Sequence, residues 1–117
     1  MIILNKNMQE WITEKPCDGS GKVICKEILN ADKTMGSAET VLFCTLTEGS
    51  RVGIHKHEGT SEAWIILQGK AKVWDGKNSF ILNPGDANYC EDGNSHGIEN
   101  IGSGELVYLG IKLPAAK

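Results

Sequence analysis

The sequence predicts an all-β domain, a sandwich or barrel of short strands. Three observations lead there. Short apolar segments rich in β-branched residues recur: VICKEIL, ETVLFCTLT, RVGIHKH, EAWIILQ, KAKVW, NSFIL, NYC, HGIEN and ELVYLGIKL. Turn chemistry separates them, at Glu48-Gly49, Glu58-Gly59, Gln68-Gly69, Asp75-Gly76, Pro84-Gly85-Asp86, Asp92-Gly93-Asn94 and Gly102-Ser103-Gly104. No segment keeps a helical period beyond about two turns.

The elements are taken in chain order. The apolar run in MIILNKNMQEW is too short for a signal peptide or a bilayer span. It predicts a cytoplasmic protein without a membrane partner. NMQEWITE reads either as one short helical turn or as a strand. VICKEIL and TVLFCTL carry Cys25 and Cys44, which suit small core positions. With Cys17 and Cys90 they make four cysteines and no C-x-x-C pair. They read as free thiols of a reducing compartment, and their spacing lends a zinc site no support. RVGIHKH reads as a strand, Glu58 to Ser61 as a reversal, and EAWIILQ as the returning strand. Asp75-Gly76, between VW and NSFIL, signals a tight hairpin. The last strands are SHGIEN and ELVYLGIKL.

A chain of 117 residues suits one domain with one core. It is 40% hydrophobic and 23% charged, an ordinary globular composition. The net charge is -3 and no Lys/Arg cluster occurs, which argues against a nucleic-acid partner.

The chain has three histidines. On a strand, side chains alternate between faces. His55 and His57 then share a face, and Glu62 returns to it after the reversal. His96 lies in a later strand, and in a closed barrel all four side chains can meet. Two histidines one residue apart fit an exposed loop as readily as a metal site. Glu62 alone reads as a solvated carboxylate, and His96 alone as a turn histidine. The conjunction of every histidine with one carboxylate is a natural ligand set for a divalent transition metal.

The stretch GSRVGIHKHEGTSEAWIILQG, Gly49 to Gly69, resembles the first motif of the cupin family at every defined position: Gly, five residues, His-x-His, four residues, Glu, six residues, Gly. GDANYCEDGNSHGIEN, from Gly85, resembles the second, with Gly85, Gly93, His96 and Asn100 in place. Glu91 stands where that motif usually has proline. The resemblance runs from about Thr40 to Leu113. It implies a double-stranded β-helix, the cupin jelly-roll barrel. It implies that His55, His57, Glu62 and His96 hold one divalent metal per chain: Mn, Fe, Ni, Co or Zn. On this reading residues 39–117 form the cupin barrel domain. Residues 1–38 form an N-terminal strand extension that packs on the barrel or on a partner subunit, which implies a homodimer.

Alternation extends the site reading. Arg51 shares parity with His55 and His57; an inward side chain there would pair with an anionic ligand group, and a surface arginine near the strand's edge is the favoured alternative. Trp64, Ile66 and Gln68 share parity with Glu62 and are expected to line the cavity. Tyr89 is placed near its mouth. Asn100 is expected to hold a turn or strand end. Ala63, Ile65 and Leu67 face away from the cavity. A bulge would reverse any of these assignments.

No catalytic base stands out beyond Glu62, whose basicity is mostly spent if it ligates the metal. The leading functional reading is a Lewis-acid site for a small polar or anionic metabolite, a sugar derivative or a keto/hydroxy acid, with isomerase, epimerase or decarboxylase chemistry. The alternatives are an Fe(II)-dependent dioxygenase and a non-enzymatic ligand-binding or sensing module.

Overall fold

A computed structural model describes residues 1–115. Ten strands account for most of it: β1 (Glu10–Glu14), β2 (Lys22–Asn30), β3 (Thr40–Leu46), β4 (Arg51–Lys56), β5 (Thr60–Gln68), β6 (Ala71–Asp75), β7 (Asn78–Leu82), β8 (Ala87–Cys90), β9 (Ser95–Asn100) and β10 (Leu106–Pro114). Single 3-10 turns at Asn5–Asn7 and Pro16–Asp18 precede β1 and β2. Each apolar segment of the sequence becomes a strand. NMQEWITE divides: a 3-10 turn ends at its first residue, and Glu10–Glu14 is a strand. The predicted hairpin closes β6 onto β7, with Asp75 opposite Asn78 and Gly76 at φ +62°, where a side chain would be strained. Among the described residues no helix is long and apolar enough to cross a membrane.

The strands form two antiparallel sheets, the jelly-roll arrangement of a cupin barrel. One has six strands in the order β1-β2-β3-β10-β5-β8, the other four in the order β4-β9-β6-β7. Leu46, Ile66, Ile98 and Leu106 are completely buried between them. Burial of one such side chain stabilises the fold by about 1.5–3 kcal/mol.

The register of β10 divides the interior. Its inward residues run Leu106, Tyr108, Gly110 and Lys112. On β5, Ile66 lies opposite Tyr108, Trp64 opposite Gly110 and Glu62 opposite Lys112. Apolar core therefore fills one end of the barrel, and polar side chains gather at the other. Gly110 leaves room for them: a Cβ there would lie 3.4 Å from Glu62 Oε2 and 3.6 Å from Cys44 Sγ.

Candidate metal centre

Strands β4, β5 and β9 bring the four predicted ligands together. His55 lies directly opposite His96 across the β4–β9 pair. His57 follows the end of β4 and is tied down by its backbone. Its N–H donates to the Asn94 carbonyl (3.0 Å), and its carbonyl accepts from the Gly93 N–H (2.7 Å). Glu62 enters from β5. One ligand atom from each of His55, His57, Glu62 and His96 lies within 4.8 Å of the others, a group able to hold a metal ion.

A bulge shapes the near wall. Val52 pairs with Ile98 and His55 with His96, so β4 spends one more residue than β9 over the same step. Val52 and His55 therefore both line the cavity, while Ile54 is exposed. Gly53 lies in this irregular step, and a Cβ there would collide with the Cys17 carbonyl. The extra residue decides between the two placements of Arg51. That side chain is exposed, with Glu99 as its strand partner, and it does not line the cavity.

The three rings are held through their Nδ1 atoms. His55 Nδ1 lies 2.9 Å from the Gly53 carbonyl oxygen, and His96 Nδ1 lies 2.8 Å from Asn88 Oδ1. Both partners accept, so both rings carry the proton on Nδ1 and present a bare Nε2. His57 Nδ1 lies 3.1 Å from the Thr60 hydroxyl. His57 Nε2 and His96 Nε2 are 3.0 Å apart, and Glu62 Oε1 is 3.2 Å from each. Lone pairs and a carboxylate oxygen brought this close repel unless a proton or a metal cation lies between them. Adjacent ligands of an octahedral metal with bonds of about 2.1 Å stand about 3 Å apart. The donor set and its spacing fit a divalent transition metal.

The electrostatics suit ligation. Burial lowers the pKa of His57 and of His96, so both imidazoles are neutral at pH 7. For Glu62, burial pushes upward, but as the rings take up protons in acid a hydrogen bond from His96 and the charges of His96, His57 and His55 outweigh it. Its pKa is lowered, and the group stays a carboxylate.

A cavity of about 240 Å³ opens beside this group, lined by His55, Glu62, Trp64, Leu42, Val52 and Tyr108, with Cys17, Cys25 and Cys44 among the remainder. Trp64 takes the predicted inward place. Ile66 points inward but is completely buried in the core and does not line this cavity. Gln68 is exposed at the end of β5, its Nε2 3.4 Å from the Glu105 carbonyl. Tyr89 lies on the opposite face of β8 from Asn88 and Cys90. It is 54% exposed and lines a separate cleft with Asp75 and Phe80. Gln68 and Tyr89 thus lie outside the cavity. Asn88, Thr60, Tyr108 and Lys112 carried no signal in the sequence, because each acts through a strand pairing or turn that local pattern does not reveal.

The model of the Cupin domain family matches residues 42–112. This chain belongs to the cupin family. Among curated relatives, the cupin is 33% identical over 93 residues to the oxalate-binding protein of Thermotoga maritima, covering 80% of this chain and 77% of that one. It is 30% identical over 114 residues to an uncharacterized Methanocaldococcus jannaschii protein, covering 97% of this chain and 91% of that one. Among solved structures, it matches a Thermotoga maritima protein described as a predicted oxalate decarboxylase, with a TM-score of 0.93 and 28% identity over 97% of this chain and 99% of that one. The departure at Glu91 leaves the local turn intact, since the Asn94 N–H donates to the Glu91 carbonyl (3.0 Å). Asn100 ties strand ends together, donating from Nδ2 to the carbonyls of Leu46 (3.0 Å) and Gly104 (2.9 Å).

Proposed function

We propose that this cupin holds one divalent transition metal per chain through His55, His57, Glu62 and His96, and with it captures a small chelating anion of the oxalate class. One observation carries this reading. His57 Nε2, His96 Nε2 and Glu62 Oε1 converge within 3.0–3.2 Å, an arrangement that a cation at its centre would satisfy. A metal held there supplies Lewis-acid chemistry, polarising an oxygen of a chelating ligand. The protein's own groups do the rest. Asn88, Thr60 and the Gly53 carbonyl orient the rings. Trp64, Leu42 and Val52 wall the cavity and limit water. Lys112, half-buried opposite Glu62 on the same sheet, provides positive charge near the opening. The oxalate named in the Thermotoga relatives supports this ligand class.

Binding is favoured over turnover by the lining of the cavity. Its one carboxylate is Glu62, a ligand in this reading, so no second carboxyl group stands ready to deliver a proton. Calorimetry with Mn(II)-loaded protein and oxalate tests the proposal. Saturable binding that disappears in His57→Ala is expected. Binding unchanged in that variant would overturn the metal-centred reading, and formate release would make the cupin a decarboxylase.

We further propose that residues 39–117 act as the barrel unit and residues 1–38 as its strand extension. Two copies pair through the outer face of the six-stranded sheet, where Leu67 is exposed near half-buried Ile65 and Leu109, and Ile12 is exposed on the edge strand β1. Four free thiols suit a cytoplasmic setting.

A further inference from the structure

The cavity wall carries two thiols that metal binding does not use. Cys25 on β2 and Cys44 on β3 are register partners in an antiparallel pair. Both line the cavity, and they are only 7% and 5% exposed. Directly opposed residues in such a pair have Cα atoms about 4.5 or 5.5 Å apart. Both spacings fall inside the disulfide range of about 4.4–6.8 Å. The two groups also act on each other: the neighbouring Cys44 lowers the pKa of Cys25, and the same neighbourhood raises that of Cys44. Each thiol has the other beside it to resolve the product of its oxidation, and Cys25 is the less buried of the two. The cavity, at about 240 Å³, has room for a molecule the size of hydrogen peroxide.

We propose that Cys25 and Cys44 form a reversible dithiol–disulfide site on the cavity wall, oxidised by a small hydroperoxide that enters the cavity. The Cys25 thiolate attacks the peroxide, the O–O bond breaks, and water leaves once the departing oxygen is protonated. Cys25 is then a sulfenic acid. The Cys44 sulfur attacks it, the S–O bond breaks, and the Cys44 proton leaves with the hydroxide as a second water. In sum, two thiols and one hydrogen peroxide give one disulfide and two waters. Oxidation links β2 to β3 and removes both S–H groups from the wall. Cys44 Sγ and Glu62 Oε2 both approach the inner face of Gly110, so the change is made beside a predicted metal ligand. The inference stands apart from the metal reading and survives its failure.

The test uses fully reduced protein treated with chelator, with and without added Zn(II), zinc having no redox chemistry of its own. It is treated with limiting hydrogen peroxide, its remaining thiols are alkylated, and it is digested with trypsin, which separates the two cysteines at Lys26. Two of the four thiols should disappear. A peptide joining Cys25 to Cys44 should appear, lighter by two hydrogens, and dithiothreitol should restore the starting map. In Cys44→Ser, dimedone should trap a sulfenic acid on Cys25. Oxidation confined to Cys17, or a cross-link from Cys17 to either partner in place of the expected one, would overturn the proposal. If Cys44→Ser does not fold, the wild-type map decides alone.

Discussion

The indole of Trp64 lies flat on the imidazole of His96, with ring centroids 3.6 Å apart and planes 7° from parallel. The stack fixes the plane of a ring whose rotation about its own axis is set by Asn88. Trp64 is thus both a wall of the cavity and a positioning residue. Trp64→Phe keeps a flat partner and should change metal affinity by only a few-fold. Trp64→Ala removes it and should weaken metal binding by about tenfold, with a stability loss of about 3–5 kcal/mol from the vacated volume. Metal titration and urea unfolding separate the two effects.

Asn88 should matter nearly as much as a ligand. Asn88→Ala leaves His96 Nδ1 without its acceptor and frees the other tautomer. Metal affinity should fall about 10–100-fold with the fold retained. His57→Ala should lose most of the metal outright. Competition against a chromophoric chelator measures both, with circular dichroism as the check on folding.

The pKa directions set the response to acid. Burial places the folded-state pKa values of His57 and His96 below the ordinary 6.5. Between those values and 6.5 the unfolded chain binds more protons than the folded one, so the metal-free protein loses stability as pH falls through this window. Glu62 has the same sign one step lower: its depressed pKa gives stability that is present above 4.5 and lost as pH falls through the folded value. Metal affinity should likewise hold near pH 6.5 and weaken below it, as protons compete for imidazole. Urea midpoints of metal-free protein measured from pH 8 to 4 check the first claim. A midpoint independent of pH would contradict it.

Arg51 and Lys112 should behave oppositely toward oxalate. Arg51→Gln alters an exposed side chain and should leave affinity unchanged. Lys112→Gln removes the positive charge opposite Glu62 and should weaken binding by several-fold to about tenfold, or about 1.4 kcal/mol at the upper end, without changing metal content. Calorimetry at two salt concentrations checks this, since the Lys112 effect should shrink as ionic strength rises.

The outer face of the six-stranded sheet should be covered in solution. Sedimentation at micromolar concentration is expected to give a dimer, and Leu67→Lys should shift it toward monomer. A monomeric wild type would remove the claim.

Sequence alone determined strands β2 to β10 and the turns between them, because each is encoded locally; β1 it left open between a helical turn and a strand. Alternating apolar residues made the strands, and glycines able to adopt positive φ, such as Gly76, made the turns. It also made His55, His57, Glu62 and His96 legible as a set, since motif spacing ties them to one another. Tertiary structure alone decided which side chains share the cavity with them. One extra residue between Val52 and His55 sent Arg51 outward and Val52 inward, and no pattern in RVGIHKH announces it. The pairs Glu62–Lys112 and Cys25–Cys44 depend on strand register within the six-stranded sheet, and Asn88–His96 on how the two sheets face each other. Register is chosen by the burial of a whole face at once, so it cannot be read from either strand by itself.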